Sequence, residues 1–171
     1  MKSSNQAAAN LITNPSFASL TLTEAADFLT GGTPRSFRVG EVVIQEGAPG
    51  DTLLVITGGR VAVRTGEIQL GLEGTGATLG EMSLVDPAPR SATVVGVKAG
   101  TLIEISRESF DQRLAEGHPV AIKALQGVTD TVMSRLVSVT VRVRAELEVP
   151  RANVFVRLWR GLLGRLDGGG P

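Results

Sequence analysis

The sequence predicts an α+β fold: an antiparallel β-roll, jelly-roll-like, with a helix before it and long helices after it. Three observations predict this. Between Ser36 and Ser106, short β-branched runs are cut by Gly and Pro at close intervals, the texture of many short strands closed into a roll or sandwich. Ahead of that stretch, Thr21–Thr30 carries a helix-start signature, and beyond Ser106 the apolar pattern becomes helical. The length, 171 residues, fits one domain with short appendages. It is also enough to bury a core without a disulfide or metal.

Taken in order, residues 1–15 are small and polar and read as a mobile leader with some helical tendency at Ala7–Leu11. In Thr21–Thr30, Thr21 followed by Glu24 makes a capping box and Gly31-Gly32 stops the helix. Pro34 marks the turn out. Val42–Ile44 is a strand, followed by the loop Glu46–Asp51. Leu53–Ile56 and Arg60–Arg64 flank Gly58-Gly59, which predicts a tight hairpin because both turn positions tolerate positive φ. Glu67–Leu72 alternates, predicting a strand with Ile68, Leu70 and Leu72 inward. Thr93–Val97 and Thr101–Ile105 form another pair about Lys98–Gly100. Arg107–Glu116 reads as a short helix ended by Gly117, with Phe110 in the core. Pro119 opens a long helix to about Glu148, since Pro is tolerated in a first turn. Its stripe Leu125, Val128, Val132, Leu136, Val139, Val143, Leu147 approaches a heptad seam, and Met133 on the same helix reads as core. The domain is thus expected over 16–148 and a basic amphipathic tail over 149–171.

Composition removes several functions. Lys+Arg and Asp+Glu both total 17, which disfavours a nucleic-acid binder that works by charge excess. The absence of Cys and the single His exclude disulfides, thiolate metal sites and a multi-histidine metal centre. No stretch approaches the ~20 apolar residues of a membrane span, and the first residues lack the apolar block of a secretory signal. A cytoplasmic location is expected. No nucleophile–base pair stands out, so an enzyme is not expected. His118, before Pro119, reads as structural.

The chemistry concentrates in Leu79–Thr93, a loop with one short helical turn between two strands. Backbone N–H groups at a helix start are donors at the positive end of aligned peptide dipoles and favour anions. Arg90 adds a forked, permanent cation suited to phosphate. Glu81, acceptor-only when ionised, suits a sugar hydroxyl. Phosphate and sugar on one ligand mean a nucleotide, and no phosphate-loop lysine motif calls for a triphosphate.

Gly80-Glu81-Met82-Ser83-Leu84 followed by Pro89-Arg90-Ser91-Ala92-Thr93 resembles the phosphate-binding cassette of the cyclic nucleotide-binding domain. Gly40-Glu41, Gly47–Asp51 and Gly58–Val61 stand in that family's order. The family includes catabolite activators, kinase regulatory subunits and gated channels; the resemblance covers Phe17–Leu136 and is to a stand-alone bacterial-type member. It implies that Arg90 pairs with a cyclic phosphate and Glu81 accepts from the ribose 2′-OH. Gly80 and the backbone of Met82 and Ser83 would line the ribose-phosphate, Ser91 would donate to a phosphate oxygen, and Ala92 would stay small for close approach. Val61, Leu70, Leu72 and Met82 are implied as walls for the base. Arg135, Ser138 and Thr140 are candidates for the base-capping contact.

The expected function is a receptor for cAMP, ahead of cGMP, that needs no cofactor and controls an unidentified protein partner by moving its C-terminal helices. A homodimer through the long helix is expected. After Glu148 only 23 residues follow, too few for a winged DNA-binding domain. The alternative is a nucleotide-independent interaction module. It would dock on a membrane surface or shell through the tail, where Phe155, Leu158, Trp159, Leu162 and Leu166 share a helical face and Arg151, Arg157, Arg160 and Arg165 supply charge.

Overall fold

A computed structural model describes residues 2–85 and 88–134 of the chain. Helix α1 (Lys2–Leu11), a 3-10 turn (Pro15–Phe17) and helix α2 (Leu22–Thr30) lead into strands β1 (Thr33–Phe37), β2 (Val42–Ile44), β3 (Thr52–Thr65), β4 (Ile68–Gly74) and β5 (Thr78–Leu79). A second 3-10 turn (Glu81–Leu84), strand β6 (Thr93–Ser106) and helix α3 (Arg107–Ala115) follow, and residues 119–134 form a further helix, α4. The chain divides into two compact units, Met1–Thr131 and Val132–Pro171. The first carries the whole roll; in the second, the described residues, 132–134, are helical.

The sheet is antiparallel throughout, in the order β1-β6-β3-β4, with β2 also on β6 and β5 also on β3. An α+β fold with an open antiparallel roll therefore matches the expectation, but its wiring differs at two places. Gly58-Gly59 is not a hairpin. β3 runs through it for 14 residues and pairs with β6 from Thr52↔Ser106 to Arg64↔Thr93. Likewise β6 runs through Lys98–Gly100 as one strand. The glycines mark an irregularity in this ladder, where the register shifts between Ile56 and Val61. Gly59 takes φ 86°, and a Cβ on it would lie 2.7 Å from Gly100 Cα. The two backbones touch there, and only glycine permits it.

β4 is a further correction. It pairs only with β3 among the described residues, and Ile68, Leu70 and Leu72, expected inward, are 68%, 62% and 52% exposed. The core of the roll is instead Phe37, Ile44, Leu54, Ile56, Val61, Leu79, Val94 and Leu102. β1 includes Pro34, which a sheet accepts because β1 is an edge strand.

Residues 2–11, expected to be a mobile leader, form α1, which buries Ala8 and Leu11 completely. Asn14 Nδ2 then donates to Thr78 Oγ1 at 3.0 Å, tying this segment to β5. The capping box of α2 is present: Thr21 N donates to Glu24 Oε2 at 2.8 Å, and Glu24 N donates to Thr21 Oγ1 at 3.2 Å. A second core joins the helices. Phe17 and Phe28 rings lie 5.2 Å apart, and Phe110 meets Phe28 edge-on at 6.2 Å. α4 buries Val120, Ala121, Ala124 and Val128, a stripe of 3.6 periodicity. Gly127 lets it close on the 3-10 turn, since a Cβ there would collide with Ser16 O. Phe110 is core as expected, whereas Met133 is 57% exposed. The seam positions from Leu136 onward, and with them the proposed dimer contact, lie outside the described residues, as does the tail.

Candidate functional site

The segment that carried the nucleotide expectation hangs between β5 and β6. β5 delivers Gly80 at φ 72°, and Gly80 opens the 3-10 turn Glu81–Leu84 with no side-chain cap. A side chain here would be strained by the positive φ and would strike Arg90 Nη1, while its Cβ would come 3.0 Å from Thr52 O. The Arg90 guanidinium thus lies directly over Gly80. Leu84, 2% exposed, roots the turn in the interior, whereas Met82 is 45% exposed.

Arg90 is placed by backbone pairing and held by its side chain. Its N–H donates to Ala48 O and its carbonyl accepts from Gly47 N, both at 2.9 Å. Gly50 allows this approach, because a Cβ on it would collide with Ala88 O. Arg90 Nη2 donates to Thr52 O at 2.6 Å and to Thr52 Oγ1 at 2.7 Å. Partial burial pushes the guanidinium pKa down from its ordinary value, and the carboxylates of Asp51 and Glu81 oppose that shift. Glu81 and Arg90 are therefore brought into electrostatic range, with Asp51 as a second acid beside them. Thr52 and Asp51 were not singled out from the sequence. Asp51 ends the Gly47–Asp51 loop and Thr52 opens β3, and the pairing of that loop with Arg90, far along the chain, has no local signal.

The remaining positions fall close by. Ser91 is exposed and its carbonyl accepts from Thr65 Oγ1 at 3.2 Å; Ala92 is half-buried. Thr93 Oγ1 accepts from Glu46 N at 3.1 Å, and Glu46 Oε2 accepts from Gly66 N at 3.2 Å, so the loop after β2 ties the end of the segment to the turn between β3 and β4. The backbone of Ser83 belongs to the 3-10 turn. Arg90 also lines a cleft of about 140 Å³ with Val43, Ile44, Asp51, Thr52 and Glu104. Of the expected base walls, Val61 is fully buried in the roll's core and is corrected on that ground; Leu70, Leu72 and Met82 are accessible. Arg135, Ser138 and Thr140 lie outside the described residues.

His118 sits apart. Its Nε2 is 3.2 Å from Arg113 Nη2 and 3.7 Å from Asp27 Oδ2, while Arg113 donates to Asp27 Oδ2 at 2.7 Å. This cluster joins the end of α2, α3 and the start of α4. Among the described residues, no group of three or more His, Asp or Glu side chains is placed to hold a metal, and no helix is long and apolar enough to cross a membrane.

Residues 34–116 match the family model of the cyclic nucleotide-binding domain. The chain is similar to the cGMP-dependent 3′,5′-cGMP phosphodiesterase A of Dictyostelium discoideum, 35% identical over 94 residues, 55% of this chain and 11% of that protein. It is also similar to the cAMP-dependent protein kinase regulatory subunit of Hypocrea atroviridis, 29% identical over 100 residues, 58% of this chain and 22% of that one. The chain thus matches only a small part of the length of these curated relatives. Its fold resembles the crystal structure of a cyclic nucleotide-binding domain from Methylobacillus flagellatus, with TM-score 0.68 and 25% identity over 85% of this chain and 84% of that chain.

Proposed function

Residues 34–116 belong to the cyclic nucleotide-binding domain family, and from that premise we propose that the chain is a receptor for a cyclic nucleotide, cAMP in preference to cGMP, and acts by binding rather than catalysis. The observation that carries this reading is the Arg90 guanidinium held over the bare Cα of Gly80, with the Glu81 charge in range. Arg90 would meet the cyclic phosphate and Glu81 would accept from the ribose 2′-OH. Gly80, the backbone of Met82 and Ser83, and Ser91 would complete the ribose-phosphate contacts, with Ala92 small enough for close approach. The relatives are named for both nucleotides, and the preference for cAMP is the part of this reading that the titration decides.

The output would be mechanical. The turn Glu81–Leu84 packs on β3 and on α3, so a phosphate that tightens the turn would press Leu84 on α3 and through it reposition the following helices toward a protein partner. A ligand shifts such an equilibrium only by its difference in affinity for the two arrangements. Calorimetric titration with cAMP and cGMP, with Arg90→Ala alongside, tests the reading. Saturable binding is expected, stronger for cAMP. The variant is expected to lose ~2–5 kcal/mol, the cost of truncating one partner of a buried charge pair, which is more than tenfold in affinity. No heat with either nucleotide, together with an unshifted Tm, would overturn it.

A further inference from the structure

A second concave site lies on the same sheet, away from Arg90. A cleft of about 520 Å³ is lined by Gly59, Arg60, Gln69, Leu72, Val97 and Lys98. Arg60 and Lys98 stand directly opposite each other in the β3–β6 ladder, and like charges in that position destabilise a sheet. Neither side chain has a hydrogen bond or ion pair among the described residues, and both are exposed. Beside them Leu72 and Val97 are 52% and 40% exposed. Two facing cations with no acid between them, next to exposed apolar side chains, complement an anionic, partly apolar occupant. The chain's own tail over 149–171 does not suit it by charge, because four arginines there face a single acid.

We propose that this cleft binds an extended segment of a partner protein that presents acidic and apolar side chains on one face, at every second position. Its carboxylates pair with Arg60 and Lys98, and its apolar side chains cover Leu72 and Val97. The segment would lie across the face of the sheet over β3, between β4 and β6, so that its side chains reach both the Arg60–Lys98 pair and Leu72. The site shares no lining residue with the Arg90 cleft; Leu72 is common to it and to the implied base walls.

The test is fluorescence anisotropy with a labelled ten-residue peptide carrying Glu and Val in turn at every second position with Thr between them, against the same peptide with Lys for Glu. The glutamate peptide is expected to bind the full chain, to weaken as salt rises, and to bind Arg60→Ala/Lys98→Ala about tenfold more weakly. Arg38→Ala, an exposed cation elsewhere, is expected to leave binding unchanged. Lys98→Glu supplies a readout that a packing role would not give: an acid opposite Arg60 relieves the repulsion, so Tm is expected to hold or rise while peptide binding is lost. Equal affinity for the two peptides, full affinity in the double variant, or a lowered Tm in Lys98→Glu would each overturn the proposal. Glutamate-peptide binding seen only where sedimentation shows a dimer of the chain to dissociate would overturn it in favour of a second copy as occupant. Calorimetry with cAMP on the double variant keeps this result separate from the receptor reading.

Discussion

Gly80 carries two demands at once, a positive φ and a missing side chain under the Arg90 guanidinium. Gly80→Ala therefore does more than strain one residue. The backbone cost is about 1–3 kcal/mol, enough to lower Tm by several degrees at this size. The methyl group must also push Arg90 off Thr52, so affinity for the nucleotide is expected to fall together with stability. Arg90→Ala is expected to lose affinity with little change in Tm, because its side chain is only partly buried. Urea unfolding and calorimetry on the two variants separate these effects. At this scale the sequence was informative where one residue carries one chemistry. Arg90 and Glu81 come within electrostatic range, whereas Asp51 and Thr52 were not legible, since nothing local says that the first residue of β3, 38 residues upstream, supplies the acceptor for Arg90.

Among the elements, the β3–β6 ladder and the α2–α4 contact make opposite kinds of prediction. At the irregularity in the ladder, a Cβ on Gly100 would lie 2.6 Å from Gly59 Cα and would also strike the Gly58 carbonyl. Backbone cannot yield there as a flexible side chain would. Gly100→Ala is expected to cost more in urea unfolding than Gly117→Ala, where φ is 70° and the space is open, so that only the ~1–2 kcal/mol of the left-handed conformation is at stake. Helices α2 and α4 are joined by Lys123 Nζ, which donates to Glu24 Oε1 at 2.5 Å. That bond, ahead of those from Thr21, holds the Glu24 pKa down to about 2, from 4.5. A carboxylate depressed on folding stabilises the fold above its unfolded pKa, and this is lost as it protonates. Tm is therefore expected to fall between about pH 4.5 and pH 2, and the fall is expected to be shallower in Glu24→Gln. The element errors have physical causes. Gly-Gly satisfies the local rule for a hairpin equally well when the strand simply passes over a neighbouring backbone. The alternation Ile68, Leu70, Leu72 gives a strand but not which side is covered, and β4 pairs on one side only among the described residues.

For the molecule as a whole, the order helix, roll, helices was legible because texture changes sharply at Ser36 and Ser106. What was not legible was the inclusion of the first residues. α1 is mostly small and polar, yet Ala8 and Leu11 have no exposed surface; these two buried side chains settle it chiefly against α2. Leu11→Ala is accordingly expected to lower unfolding free energy by ~2–5 kcal/mol, as for any core leucine, and thermal denaturation checks this directly. A leucine in a mobile leader would cost nothing.

The full-length pairing of β3 with β6 also governs how the chain reaches this state. Every rung of that ladder joins residues distant in sequence, so loop-closure entropy must be overcome before the hydrogen bonds form, and slow folding follows from high contact order. The Arg64↔Thr93 end encloses the shortest stretch of chain and Thr52↔Ser106 the longest, so zipping proceeds from the former to the latter. It must cross the glycine irregularity on the way. The cassette is thus looped out and closed early, while the glycine contact and the junction with α3 form late, and Gly100→Ala should slow the final stage of refolding rather than the first.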